Sequence, residues 1–270
     1  MDLKIILDRL WNDYSAQNPS AAKIYNLFKS EGEEVVNDHI AFRTLDYPGM
    51  NIDVVATPFI QAGYEAKGEY YFTEKHLYAK HFESVVDINA PRIFISQLVI
   101  AQCSSYARSV LSKAAENLVS RKVKPENLIF SGEVINPVSF DVYNKLRQES
   151  EYAAWFYVFG FRANHFTVSI NALKKFSSVE EVNIFLKHHG FKLNDSGGEI
   201  KGTKADLLQQ SSTLADRVKI VFEEGTFEVP CCYYEFAHRF HDKNGQLYGG
   251  FVASSADKIF ESTDFHKKDR

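Results

Sequence analysis

DHIAFRT at residues 38–44 and NHFTVSI at residues 164–170 are two short segments of almost the same design. Each places a histidine second, directly after an acidic or amide residue, and then continues with a mixed pattern of apolar and polar side chains. Such a pattern is typical of a half-buried strand, in which successive side chains point to opposite faces. We therefore predict two matching strands that present His39 and His165 on one face, and this pairing suggests a metal site.

A third segment, YYEFAHRF at residues 233–240, has the same build with a carboxylate, Glu235, in the place of the histidine. Two histidines and one carboxylate, delivered from three separate strands, form the facial triad associated with non-haem Fe(II). That ligand set leaves coordination positions open for other molecules. The three segments together therefore predict a reactive metal centre.

The three candidate ligands also have plain structural explanations. A buried histidine is most often a hydrogen-bonded core residue, but two histidines at the same place in similar strands favour ligation for both. An isolated carboxylate in an aromatic strand, such as Glu235, must be protonated, paired or bound to a cation. For Glu235, a salt bridge to Arg239 or Arg162 and a bond to a metal explain the sequence equally well.

Hydrophobic periodicity predicts an α+β fold, with a β-rich core of two related modules and added helices at the N-terminus and between the modules. The 270 residues are predicted to form a single domain. Its parts are a helical N-terminal segment at 1–35, a first β-rich module at 36–100, a helical insertion at 101–160 and a second β-rich module at 161–270. Each module is predicted to run strand, helix, strands.

Individual elements follow from the same periodicity. The predicted strands are 38–44, 69–77, 92–99, 163–171, 217–223 and 229–240. The predicted helices are 3–14, a second one from Asn18 to Gly32, then 52–62, 104–122, 139–159 and 178–189. Residues 209–213, QQSST, are interpreted either as a simple loop or as part of the lining of a polar pocket.

Bulk composition disfavours several classes of partner and compartment. With 31 basic and 35 acidic residues the net charge is −4, so nucleic acid and anionic membranes are poor partners. No stretch reaches the roughly 18 apolar residues needed to span a bilayer, and the N-terminus lacks the apolar region of a signal peptide. Three cysteines, an odd number, favour a reducing compartment. We expect a cytoplasmic protein.

Arg43 is the main candidate for binding a substrate. It follows His39 by four residues, so on a strand it shares the same face at roughly 13 Å, taking about 3.3 Å per residue. A guanidinium offers two parallel N–H donors to a carboxylate, which would let a small dicarboxylate bridge the metal and Arg43. An ion pair with an acidic neighbour explains Arg43 equally well. Arg239 repeats this spacing after Glu235 and has the same two interpretations.

Five short motifs together resemble the 2-oxoadipate dioxygenase/decarboxylase family over most of the chain. They are HIAFR at 39–43, NHFT at 164–167, QSST at 210–213, YEF at 234–236 and IFEST at 259–263. Their order and separations make the set more specific than any single motif. The resemblance implies a fold like that of the vicinal oxygen chelate superfamily, an Fe(II) centre and a 2-oxo acid substrate.

Carried over by position, the resemblance implies that His39, His165 and Glu235 bind Fe(II). Arg43 then becomes the catalytic residue that holds the distal carboxylate and so fixes which carbon reacts. Ser254 and Arg239 are further candidates for contact with the substrate. The implied partners are a small 2-oxo acid and O2.

The reaction implied by the resemblance converts 2-oxoadipate and O2 to 2-hydroxyglutarate and CO2, with no separate co-substrate. Two other functions fit the same residues. One is a redox-inert enzyme of the same superfamily, a glyoxalase-like lyase or isomerase that uses Zn, Ni or Mn. The other is a non-catalytic protein that binds a small molecule. Oxygen consumption and metal content distinguish the three.

Overall fold

Two helices open the chain in the computed structural model, which describes residues 2–259 and residue 261. They are α1, Leu3–Gln17, and α2, Pro19–Ser30. Asn18 ends the first helix and caps the second, because its side-chain oxygen accepts a hydrogen bond from an amide of the first turn of α2. The helices predicted for this segment are therefore present.

The first module contains one more strand than predicted. Its elements are β1 Asn37–Leu45, α3 Ile52–Val55, α4 Thr57–Gln61, β2 Tyr64–Phe72, β3 Leu77–Ser84 and β4 Arg92–Leu98. The prediction of one strand over 69–77 is wrong, because a 3₁₀ turn and the left-handed residue His76, with φ of 55°, reverse the chain there. The predicted helix 52–62 is divided at Ala56, because Pro58 has no amide hydrogen with which to continue it.

Three helices connect the modules: α5 Ser105–Ser120, α6 Phe140–Glu149 and α7 Glu151–Phe159. The single helix predicted for 139–159 is broken at Ser150, whose extended backbone has φ of −148° and whose hydroxyl accepts from the amide of Ala153. Residues 152–159 are all buried, so α7 is a core helix. Within the described residues, no helix has both the length and the apolar character needed to cross a bilayer.

The second module consists of β5 Ala163–Ser169, α8 Val179–His188, β6 Leu208–Ser212, β7 Arg217–Phe222, β8 Gly225–Pro230, β9 Tyr233–Arg239 and α9 Ala253–Ile259. The predicted strand 229–240 is two strands, separated at Cys231 and Cys232. β7 and β8 form a hairpin of their own outside the main sheet. Residues 209–213 lie mostly in β6, the mostly buried edge strand of the main sheet, so the interpretation of this segment as a simple loop is wrong.

One seven-stranded sheet joins the two modules in the order β2-β3-β4-β1-β5-β9-β6. β1 and β5 pair antiparallel at its centre, β4 lies parallel to β1, and β9 lies parallel to β5. The series β1-β4-β3 of the first module thus has its counterpart in β5-β9-β6 of the second. The predicted relation between the modules is realised as an approximate two-fold arrangement about the β1/β5 pair.

The N-terminal helices cover one face of the second half of this sheet. The ring of Trp11 on α1 contacts those of Phe166 and Tyr234, at centroid distances of 5.2 and 5.9 Å. Phe28 on α2 is fully buried among aromatic rings from the loop before α8, from α8 itself and from β9, namely Phe176, Phe185 and Phe236. The opposite face of the central strands is covered partly by α7 and partly by the residues that follow β9.

Phe28→Ala is expected to lower the free energy of unfolding by about 3–5 kcal/mol, because it leaves a cavity between α2, α8 and β9. Ile184→Ala, at a position of α8 that is 66% exposed, is the control. It should change stability by less than about 0.5 kcal/mol. Chemical denaturation measures both values, and equal losses in the two variants would contradict this packing.

Candidate metal centre

His39, His165 and Glu235 meet on one face of the sheet, as predicted from their strands. They lie on the three adjacent strands β1, β5 and β9, and all three are buried. The Nε2 atoms of the two histidines are 3.4 Å apart. The carboxylate oxygens of Glu235 lie 3.4 Å from His39 Nε2 and 3.3 Å from His165 Nε2. Among the residues that the structure describes, these three side chains form the group of potential ligands that could hold a metal ion.

The residue before each histidine fixes the orientation of the imidazole. His39 Nδ1 donates to Asp38 Oδ1 at 2.8 Å, and His165 Nδ1 donates to Asn164 Oδ1 at 3.1 Å. With the proton held on Nδ1, each ring directs the lone pair of Nε2 into the site. The sequence shows an acidic or amide residue before each histidine, but it did not reveal that this residue orients the imidazole.

The geometry of the three side chains fits a divalent cation. Ligand atoms about 2.1 Å from one ion are separated by about 3.0 Å at right angles and about 3.4 Å at the tetrahedral angle. The observed separations of 3.3 and 3.4 Å lie at the wider end of this range. Two neighbouring groups donate hydrogen bonds to these side chains: Thr167 Oγ1 lies 3.1 Å from His39 Nε2, and the amide of Gln210 donates to Glu235. They satisfy only some of the lone pairs of the three candidate ligands. A divalent cation would satisfy the lone pairs that converge here.

The protonation states of the site also suit a cation. Burial lowers the pKa of both histidines, so each imidazole is neutral and able to ligate. Burial likewise raises the pKa of Glu235 to about 8, because no positive charge close by offsets its desolvation fully. Bound metal would supply that charge and keep Glu235 ionised.

Arg239 supports the site from behind His39. Its Nε and Nη2 atoms donate to the two oxygens of Asp38 at 2.7 and 2.9 Å, while Nη1 donates to the carbonyls of Tyr248 and Gly250. Burial alone would raise the pKa of Asp38, but Arg239 and His39 hold it well below its usual value. Of the two interpretations of Arg239, this geometry favours the structural ion pair over contact with a substrate, and the partner is Asp38 rather than Glu235.

A cavity of about 20 Å³ adjoins the three candidate ligands. Its remaining walls are mostly apolar: Phe94 on β4, Phe251 after β9, Ala256 and Ile259 on α9, and Gln210 on β6. Ser254, on the same helix, has an exposed side chain and is absent from this lining, so the geometry gives no support to its predicted substrate contact. In the IFEST motif, Phe260, Ser262 and Thr263 lie outside the described residues.

The two-fold arrangement assigns Phe94 to the position that corresponds to Glu235. Glu235 pairs with Thr167, two residues after His165, and Phe94 pairs with Ala41, two residues after His39. A symmetric site would therefore carry a fourth ligand at Phe94. Because an apolar ring cannot ligate, the protein offers three ligands, which would leave coordination positions of a bound metal open to other molecules.

Arg43 lies on the same strand as His39 but in an ion pair. Its Nη1 donates to both oxygens of Glu151 at 3.0 and 3.2 Å, and the guanidinium packs over the rings of Tyr152 and Trp155. Burial opposes its charge, but Glu151 raises the pKa of Arg43 overall, so it remains a cation. The structural alternative considered for Arg43 is thus present, and its role toward a substrate stays a prediction.

Tyr233 is a neighbour of the site that the sequence did not single out. It lies opposite His165 in the β5/β9 register, and the two rings stack with centroids 4.7 Å apart. Its pKa is raised well above the usual value by burial and then by Glu235, with Arg43 opposing the shift and Glu151 adding to it. The phenol is therefore a neutral group in electrostatic range of both Glu235 and Arg43.

Comparison with known proteins decides the family. The family model of the 2-oxoadipate dioxygenase/decarboxylases matches residues 6–139 and 129–242. The chain belongs to this family. A chloroplastic 2-oxoadipate dioxygenase/decarboxylase of Arabidopsis thaliana is 34% identical over 284 residues, which cover 96% of this chain and 76% of the relative. Because this relative is named as chloroplastic, the cytoplasmic location expected from the sequence remains a prediction for this protein.

Solved structures agree with the family and with the predicted fold. The crystal structure of the hydroxyglutarate synthase from Oryza sativa in complex with 2-oxoadipate is 32% identical, with a TM-score of 0.90 over 98% of this chain and 93% of that one. A protein of Ralstonia eutropha described as a candidate glyoxalase superfamily member is 18% identical, with a TM-score of 0.72 over 90% of this chain and 83% of its own. The predicted vicinal oxygen chelate-like fold is confirmed.

Asp38→Asn is expected to weaken the affinity for a divalent metal by about 10- to 100-fold, because the amide is a poorer partner for the Nδ1 proton of His39. Asp46→Asn, an exposed position just after β1, is the matched control and should bind metal normally. Competition with a chromophoric chelator measures the affinities, and circular dichroism verifies that both variants fold. Unchanged affinity in folded Asp38→Asn would contradict the support assigned to Asp38.

Metal affinity should rise with pH up to about 8 and level off above it. Below that pH Glu235 carries a proton that the cation must displace, which costs about tenfold in apparent affinity per pH unit. The neutral histidines release no proton. Calorimetry in two buffers of different ionisation enthalpy should detect the release of about one proton per metal bound at pH 7. A pH-independent affinity between pH 5 and 8 would be the contrary result.

Proposed function

We propose that this protein is an Fe(II)-dependent dioxygenase/decarboxylase that acts on a 2-oxo dicarboxylic acid, with 2-oxoadipate as the substrate and 2-hydroxyglutarate and CO2 as the products. The observation that carries the proposal is the buried group of two histidines and one glutamate, with an apolar ring at the fourth position, in a member of the 2-oxoadipate dioxygenase/decarboxylase family. This ligand set is characteristic of non-haem Fe(II) oxygenases.

The reaction balances without another reductant. The carboxylate next to the keto group leaves as CO2, one atom of O2 enters the new carboxylate, and the other enters the hydroxyl of the adjacent carbon. Fe(II) held by His39, His165 and Glu235 would supply the redox chemistry with O2. The protein holds the metal through His39, His165 and Glu235, whose single negative charge leaves the centre positive and attractive to an anion.

The residues around the centre would orient the substrate and keep water away. Arg43 would receive the distal carboxylate and so fix which carbon faces the metal. Phe94, Phe251 and Ile259 would exclude water from the reacting end. Because a cavity of about 20 Å³ holds only one or two water molecules, a dicarboxylic acid would have to displace Phe251 or α9 to bind.

Oxygen uptake is the direct test of this function. Protein purified anaerobically and reconstituted with Fe(II) should consume O2 when 2-oxoadipate is added and release CO2 and 2-hydroxyglutarate in equal amounts. The zinc-loaded protein and His165→Ala, which should lose metal, are the controls and should consume none. Bound iron without O2 uptake for any 2-oxo acid in a panel would sink the proposal, and turnover with zinc would favour a redox-inert lyase or isomerase.

Arg43→Ala should retain metal but raise the KM for 2-oxoadipate by about tenfold or more, because a hydrogen-bonded charge is lost. The KM for 2-oxohexanoate, which has no distal carboxylate, should change little. Glu151→Gln should act in the opposite direction and lower the KM for 2-oxoadipate, because Arg43 loses the carboxylate that competes for it. Loss of metal from Arg43→Ala, or equal effects on the two acids, would contradict the assigned role.

A further inference from the structure

The hydroxyl of Tyr233 is buried beside the metal centre without a hydrogen-bond partner in the described part of the chain. The whole residue is inaccessible to solvent, so water does not compensate the hydroxyl either. Buried polar groups are nearly always paired, and an exception in a native structure calls for an explanation. A ligand that supplies the missing acceptor is such an explanation.

The strand register places this residue on the reacting face. Tyr233 precedes Glu235 by two positions on β9, so both side chains point to the same side of the sheet. Its ring stacks on His165 and packs in a small cluster with Ala215 and Ile259. Ile259 is itself part of the cavity wall. Tyr233 thus adjoins the space in which a ligand of the metal would lie.

The same register puts Arg43 and Tyr233 on the two strands that flank β5, displaced from His39 and Glu235 toward the same end of the sheet. On β1, Ala41 lies opposite His165, and Arg43 follows two residues further along the same face. The charges of Arg43 and Glu151 both act on Tyr233. A dicarboxylate with one end at the metal and the other at Arg43 would therefore run past the phenol.

We propose that Tyr233 binds the substrate directly, by donating its hydroxyl proton to the distal carboxylate that Arg43 receives. This inference rests on the proposed function and identifies a second determinant of its specificity for dicarboxylic acids. Glu151 already balances the charge of Arg43, so the guanidinium alone offers limited net attraction to another carboxylate. A carboxylate accepts several hydrogen bonds, and a neutral donor beside Arg43 adds one without adding charge.

Tyr234 is a matched control in the adjacent position. Its hydroxyl is also fully buried and also has no hydrogen-bond partner among the described residues. Its ring, however, points to the opposite side of the sheet, where it contacts Trp11 and Tyr14 of α1. The two tyrosines therefore share chemistry and burial but differ in the face that they occupy.

The test compares Tyr233→Phe with Tyr234→Phe in the metal-loaded protein. Anaerobic calorimetry measures the Kd of 2-oxoadipate and of 2-oxohexanoate for each. Tyr233→Phe should raise the Kd for 2-oxoadipate by about tenfold, the contribution of one hydrogen bond to a charged group, and leave the Kd for 2-oxohexanoate unchanged. Tyr234→Phe should change neither. The KM for 2-oxoadipate in O2 uptake should follow the Kd.

Unfolding of the substrate-free protein separates binding from a structural role. The hydroxyl has no hydrogen-bond partner among the residues that the structure describes, so its removal in Tyr233→Phe should leave stability unchanged or slightly higher. An unchanged Kd for 2-oxoadipate, or equal weakening of both acids, overturns the inference. Because binding is measured without O2, a wild-type protein that binds 2-oxoadipate but consumes no O2 contradicts the proposed function alone. A wild-type protein that binds neither acid overturns both.

Discussion

The antiparallel pairing of β1 with β5 is the constraint on which the rest of the site depends. It joins the two modules at the middle of the sheet and sets His39 opposite Thr167 and Ala41 opposite His165. Because side chains alternate along a strand, a slip of one residue would turn one imidazole to the other face. The large apolar layer beneath the sheet, which includes Phe166 and Phe28, fixes that register. Packing energy from the core therefore maintains the position of two histidines that are far apart in the sequence.

The local pattern of the sequence was sufficient to predict the strands that carry the candidate ligands. Each of the segments around His39, His165 and Glu235 is a strand in the structure, although these strands are buried on both faces and not half-buried as predicted. Local pattern failed where the chain reverses inside an apolar run, as at His76, because Leu77 suits the end of one strand and the start of the next equally well. Ser150 was missed for a similar reason, since a serine is tolerated within a helix but also caps one.

The contacts around the site were harder to predict because they join residues distant in sequence. Arg239 follows Glu235 by four positions, yet it binds Asp38, which is 201 residues away. Tyr233 resembles an ordinary core aromatic in a strand, and only the register with His165 reveals its location. Phe94 has no polar atom to attract notice, although it occupies the place of a fourth ligand. Pairing across the sheet, rather than composition, gives each of these residues its role.

The hydrogen bonds of Arg239 link two parts of the molecule that serve different purposes. One edge of the guanidinium holds Asp38 and, through it, His39, while Nη1 holds the carbonyls of Tyr248 and Gly250 beside Phe251 in the cavity wall. Closure of the wall and alignment of the imidazole are therefore thermodynamically linked. Linkage is reciprocal, so a cation that favours the aligned imidazole favours the closed wall by the same factor. A divalent cation at the three side chains would therefore also stabilise the wall that covers it.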